Sequence, residues 1–211
     1  MCDRLVSRTF GNSKPGSMRA AWHGNAVPSG KLTVSFPRVT GQVPIYYNHM
    51  NTGRPSLGGA ANISETVQPE GDTARYIDID PSPEYPFGFG LSYAAFQYSN
   101  LKLSSASLPR GASLAVTADV TNSGKVEADE IVQLYTRQLS ASLTRPVREL
   151  KAFERVTLKP GETRTVRFTL STSSLAFHNE RGELVTEPGL FHVWVAPDSS
   201  RGQRSEFRLT D

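Results

Sequence analysis

Ser113-Leu114-Ala115-Val116-Thr117-Ala118-Asp119-Val120 is the stretch that decides the fold. Leu114, Val116, Ala118 and Val120 alternate with Ser113, Ala115, Thr117 and Asp119. A period of two places the first set on one face of a strand and the second on the other. Asn122-Ser123-Gly124-Lys125 follows as a turn, and Ile131–Thr136 as an apolar strand. The pattern recurs after the turn Lys159-Pro160-Gly161-Glu162, where Val166, Phe168 and Leu170 alternate with polar neighbours. Pro188-Gly189 opens the apolar run Leu190–Ala196, and Glu206–Leu209 closes the chain. Six or seven short strands punctuated by Gly, Pro and Asn predict a β-sandwich of immunoglobulin or fibronectin type III kind over residues 92–211. Trp194, inside an apolar strand, is expected between the two sheets. A sugar-stacking role is the alternative for that ring.

Upstream of residue 91 the pattern fades. Residues 22–90 are rich in Gly, Pro and Asn. Lys31–Phe36, stopped by Pro37, predicts one short strand, and Val43–Tyr47 predicts a second. Residues 51–75 carry Gly53, Pro55, Gly58, Gly59, Pro69 and Gly71. Such a stretch is longer than the ~12–15 residues usual for a structureless connection, so it is functional or disordered. The segment holds too few apolar residues to bury a core alone. It is expected to be the end of a larger domain and not to fold by itself.

The 211 residues carry 37 % hydrophobic and 20 % charged side chains, which excludes a disordered or collagen-like chain. No run of 18 apolar residues occurs, so no transmembrane helix is expected. The net charge of +3 arises in residues 1–20, where Arg4, Arg8, Lys14 and Arg19 face only Asp3. The remaining residues hold equal numbers of acids and bases, so no nucleic-acid surface is expected. Residues 1–21 lack the apolar stretch of a secretory signal and are expected to be a disordered leader or a misplaced gene start. Cys2 is the single cysteine, which removes an intrachain disulfide and any cysteine-based zinc site. His23, His49, His178 and His192 are far apart and are expected to be structural, so no metal or cofactor is expected.

Three clusters were candidates for chemistry. Asp78 and Asp80 share one side of an extended segment, as a pair of glycosidase carboxylates would. The alternative, the start of a solvated turn before Pro81-Ser82-Pro83, is favoured because spacing alone rarely identifies such a pair. Glu127, Asp129 and Glu130 read as a solvated strand start rather than a calcium site. Arg145 to Lys151 reads as a strand with Val147, Leu150 and Phe153 as its apolar members and its charges outside. GxSxG, P-loop and dinucleotide fingerprints are absent from the sequence.

Taken together, the motifs resemble a known family. Pro28-Ser29-Gly30-Lys31-Leu32, Ser35-Phe36-Pro37, Val43-Pro44-Ile45-Tyr46-Tyr47-Asn48-His49 and Asn51-Thr52-Gly53-Arg54-Pro55 resemble the end of the second domain of glycoside hydrolase family 3. Tyr85-Pro86-Phe87-Gly88-Phe89-Gly90-Leu91-Ser92-Tyr93 resembles its link into a C-terminal module. Arg145 to Val156, Leu158 to Thr163 and Glu187 to Val195 resemble that fibronectin type III-like module. The resemblance runs from about Trp22 to the C-terminus, in family order, and is nearest to the bacterial periplasmic β-glucosidase type.

The resemblance implies a parent enzyme with a TIM-like barrel, an α/β sandwich domain and the fibronectin-like module. It implies retaining hydrolysis of terminal β-glucosyl residues by a carboxylate nucleophile and a carboxylic acid/base. Neither catalytic motif is matched here, so no catalytic residue is assigned and the chain alone is expected to be inactive. The expected architecture is mainly β, a sandwich over 92–211 preceded by a truncated α/β remnant over 22–91. The expected partners are the barrel and α/β domains and, through them, β-glucosides. A periplasmic or secreted location is implied for the family. His49, Asn51 and Arg54, on the Gly-rich loop, are the candidate substrate-binding residues at the rim of the sugar pocket. A stand-alone carbohydrate- or protein-binding sandwich is the alternative.

Overall fold

The computed structural model describes Ala21, His23, Gly24, residues 26–52, Tyr76 and residues 78–211. The leader, Trp22, Arg54 and nearly all of the loop 51–75 lie outside the described residues.

Among the described residues ten strands follow one another: β1 Phe96–Leu103, β2 Ser107–Pro109, β3 Ser113–Asn122, β4 Ala128–Gln138, β5 Glu149–Leu158, β6 Thr163–Ser171, β7 Phe177–His178, β8 Leu184–Val185, β9 Gly189–Ala196 and β10 Gln203–Thr210. They form a three-stranded sheet in the order β1-β3-β6, a five-stranded sheet in the order β2-β10-β9-β4-β5, and a β7-β8 hairpin. All pairings are antiparallel except β2 with β10. The two larger sheets face each other, as the alternation in the sequence requires.

The core between them takes Leu114, Val116, Ala118 and Val120 from β3, and Val166, Phe168 and Leu170 from β6. The opposing sheet supplies Val132 and Leu134 from β4, Val156 and Leu158 from β5, and Phe191, Val193 and Val195 from β9. Phe191 stacks on Phe207 of β10 at 5.2 Å. Each fully buried Val, Leu or Phe stabilises the fold by about 1.5–3 kcal/mol relative to its exposed state.

Trp194 is buried, but not in that core. On β9 the odd positions Phe191, Val193 and Val195 face inward, so His192, Trp194 and Ala196 face the other way. Trp194 packs with Tyr135 and Ala196 on the outer face of the five-stranded sheet, beneath Tyr47 and Phe87. The expectation of an inter-sheet Trp194 is therefore corrected: at β4 and β9 the sheet is buried on both faces.

The segment covering that outer face is not built of strands. In Lys31–Phe36, Leu32 bonds with Gly88 and Phe89, and Phe36 with Glu84 and Tyr85, while Thr33 and Val34 bend between them. Pro86, opposite the bend, has no N–H to offer, so the ladder stops at an isolated Phe36–Tyr85 bridge. Val43–Tyr47 is not a strand either: Pro44, which follows a cis bond, again removes a donor. A short 3-10 turn, Thr40–Gln42, lies between them.

Candidate functional site

The features that set this chain apart from a plain sandwich collect where residues 26–52 and 78–91 meet the outer sheet face. Tyr47 stacks on Phe87 at 4.2 Å and meets Tyr135 edge-on at 6.0 Å. Below them, the Arg148 guanidinium lies 4.4 Å from the Trp194 ring centre and 5.7 Å from that of Tyr135. It donates to the carbonyls of Ser199, at 2.6 Å, and Arg201, at 2.9 Å. Burial lowers the Arg148 pKa to about 10, against the opposing pull of Tyr135 and Asp198. Burial also raises the pKa of Tyr135 and of Tyr47, whose hydroxyl accepts the Leu150 N–H at 3.3 Å.

This overturns the expectation for Arg145 to Lys151. β5 begins only at Glu149, and Arg148 just before it is buried against Trp194 on the outer sheet face. Arg145 lies 4.2 Å from the Phe177 ring centre and pairs with Glu149 at 3.1 Å. Phe153, expected as an apolar inward member, is 68 % exposed, because the inner face of β5 is carried by Ala152, Val156 and Leu158.

A second fastening joins the same two parts. Lys31 reaches Glu130 at 3.0 Å, and the Tyr98 hydroxyl donates to the same Glu130 oxygen at 2.8 Å. Glu130 shares the parity of Val132 and Leu134, so it points inward and is buried rather than solvated. Asp129 holds Thr157 at 2.6 Å, and Glu127 is exposed. Among the described residues no three His, Cys, Asp or Glu side chains are grouped to hold a metal.

The predicted site residues do not converge. His49 is exposed, with Nδ1 3.0 Å from the Met50 carbonyl, and its own carbonyl accepts the Val147 N–H at 3.0 Å. It lines a cleft of about 420 Å³ together with Arg38, Tyr46, Asp80 and Ser82. Asn51 lines a different depression, of about 380 Å³, beside Arg137 and Arg145. Asp78 and Asp80 are both exposed. The Ser82 N–H, 2.7 Å from Asp80 Oδ1, lowers the Asp80 pKa and makes this a turn, as the solvated alternative expects. A glycosidase acid is raised, not lowered, by its surroundings.

Arg148, Lys31 and the outward Trp194 escaped the sequence reading. One signal was available for Trp194: Leu190–Ala196 does not alternate, and an unbroken apolar run marks a strand covered on both faces.

The profile of a fibronectin type III-like domain matches residues 130–199. The periplasmic β-glucosidase of Salmonella typhimurium is 40 % identical over 208 residues, which is 98 % of this chain and 26 % of that protein. A β-xylosidase of Formosa agariphila is 41 % identical over 207 residues, 98 % of this chain and 27 % of that one. The crystal structure of a β-glucosidase from Listeria innocua in complex with glucose superposes with a TM-score of 0.79 at 40 % identity, covering 92 % of this chain and 26 % of that one. The chain is the counterpart of the C-terminal part of a family 3 glycoside hydrolase. It spans about a quarter of the length of these relatives, so in them further domains accompany the matched region. Among the described residues no helix is long and apolar enough to cross a membrane.

Proposed function

We propose that this chain serves as the structural C-terminal module of a family 3 β-glycosidase, and that hydrolysis belongs to the barrel and α/β domains of such an enzyme. One observation carries the proposal: near-complete coverage of this chain at 40 % identity against a quarter of the relative's length. Retaining hydrolysis of this family type needs two carboxylates about 5–5.5 Å apart around one sugar. Asp80 instead holds a turn, and Glu130 an ion pair. The substrate proposed is a terminal β-glucoside, with a periplasmic or secreted location as in the Salmonella relative. His49, Asn51 and Arg54 are proposed to lie near the rim of the completed sugar site. The module's boundary is proposed near residue 91, with residues 22–91 continuing into the α/β domain.

Complementation tests this reading. The Salmonella relative, truncated before the region that matches this chain, is co-expressed with the chain and assayed on an aryl β-glucoside. Activity is expected from the pair and not from the chain alone. Turnover by the chain alone that survives purification and is lost in Asp80→Asn would overturn it, and so would a pair that never associates.

A further inference from the structure

We propose that the 420 Å³ cleft lined by Tyr46, His49 and the Asp80–Glu84 turn is a binding site for a neutral saccharide, on the reading that the chain serves a saccharide-cleaving enzyme. The cleft falls within the ~300–1,000 Å³ range of small-molecule sites. Its walls combine two chemistries. Ile45, Pro81, Pro83 and Pro86 give apolar surface, and Tyr46 adds a ring that is 56 % exposed. Ser82, Ser199, Ser200 and the charged side chains give hydrogen-bonding groups between them. A pyranose has the matching make-up, with apolar C–H faces ringed by hydroxyls that both donate and accept.

The polar groups are already placed. Arg38 is held by Glu84 at 2.5 Å and by the Ser82 carbonyl at 3.2 Å. Asp80 is held by the Ser82 N–H, which fixes its carboxylate as an acceptor for hydroxyls. The His49 Nδ1–H donates to the Met50 carbonyl, so neutral His49 presents Nε2 as an acceptor. Preorganised groups of this kind spare a ligand the cost of ordering them.

Charge selects among ligands. Arg38 faces Asp80 and Glu84, so with His49 neutral the cleft carries one excess negative charge. Anionic sugars and phosphates are disfavoured. The apolar walls disfavour a bare cation.

The test uses the 211-residue chain itself. Cellobiose and glucose are titrated into ¹⁵N-labelled protein and followed by NMR. Saturable millimolar binding is expected, with shifts confined to residues 45–49 and 80–86. Tyr46→Ala and Asp80→Asn should each weaken it about tenfold, the size of one lost charged or stacking contact. Phe153→Ala, on another surface, should leave it unchanged. Glucuronate should bind more weakly than glucose. Shifts that do not saturate, equal binding by the Tyr46→Ala chain, or tighter binding of glucuronate or of a lysine-rich peptide would each overturn the site. Association of the Tyr46→Ala chain with the truncated relative, followed by size-exclusion chromatography and not by activity, should be unchanged, so loss of sugar binding and loss of the structural role are read separately.

Discussion

The guanidinium of Arg148 sits 4.4 Å from the centre of the Trp194 indole, on the side of the five-stranded sheet turned away from the sandwich core. Their contact exists because residues 26–52 and 78–91 roof that face, with Tyr47 and Phe87 above and the Ser199 and Arg201 carbonyls as hydrogen-bond acceptors. A cation buried this way is stabilised by the ring and by those carbonyls.

Arg148→Met should therefore cost about 2–4 kcal/mol, because the buried Ser199 carbonyl and the part-buried Arg201 carbonyl lose their donor while the apolar stem is kept. Arg148→Lys should recover less than half of the loss: one Nη1 serves both carbonyls, which an ammonium could do, but the lysine loses the planar guanidinium that lies against the Trp194 ring. Urea unfolding followed by far-ultraviolet circular dichroism measures both. A Lys variant as stable as the parent would show that charge alone suffices.

Removing the roof is a different experiment. All members of the inter-sheet core lie between Leu108 and Leu209, so residues 92–211 should fold alone. The same truncation uncovers Trp194, Tyr135 and Ala196. The expected outcome is a folded fragment with red-shifted Trp194 emission, dye binding to the exposed patch and lower stability than the whole chain. Native emission in the fragment would mean that the outer face needs no cover.

These residues mark how far the sequence was legible. The sandwich was readable because β3 and β6 alternate cleanly between a buried and a solvated face. The roof was not, because Lys31–Phe36 has the composition of a strand but faces Pro86, a partner position known only once the chain is folded. Their sequence context places Arg148 and Glu130 in solvent, since charge is usually outside. What draws them in is a partner distant in sequence: Ser199 for one, Lys31 for the other. Of the site, the turn at Asp80 was legible from Pro81-Ser82-Pro83, whereas the separation of His49 from Asn51 depends on how the chain docks beside Pro146 and Val147.

Asp198 gives a pH prediction. Its carboxylate is fully buried, which would raise its pKa, yet bonds from Arg201 and Ser200 outweigh that and lower it. Arg201 Nε stands 2.8 Å from Oδ2, and the Ser200 N–H and hydroxyl stand 2.9 and 2.7 Å from Oδ1. An acid whose folded pKa is depressed binds fewer protons folded than unfolded below its unfolded pKa of about 3.9. Its stabilisation is complete above that pH and is lost as pH falls through the folded value. Stability should be level from pH 7 to about 5 and decline below about 4. Asp198→Asn should lower stability at pH 7 by about 2–3 kcal/mol and flatten the acid limb. An acid limb of unchanged slope in that variant would assign it to other carboxylates.

Gly88 separates two reasons for needing a glycine. Its φ is +80°, and a side-chain carbon there would meet the Gln133 amide, whose Nε2 would lie at 2.9 Å and Oε1 closer still. That amide donates to the carbonyls of Gly88, at 3.2 Å, and Pro197, at 2.7 Å, and accepts the Tyr135 hydroxyl. Gly182 has nearly the same conformation, φ +76°, with nothing within 4 Å of an added carbon. Gly182→Ala should thus cost only the left-handed backbone penalty, about 1–2 kcal/mol. Gly88→Ala should cost that and the displacement of a buried amide with three partners, about 3–5 kcal/mol in total. Because Gln133 supports Tyr135, the Gly88 variant should also disturb the aromatic circular dichroism of the roofed face, and the Gly182 variant should not. Equal losses in the two would show that Gln133 moves aside freely, and the roof would then be held by Tyr47, Phe87 and Lys31 without help from this close approach.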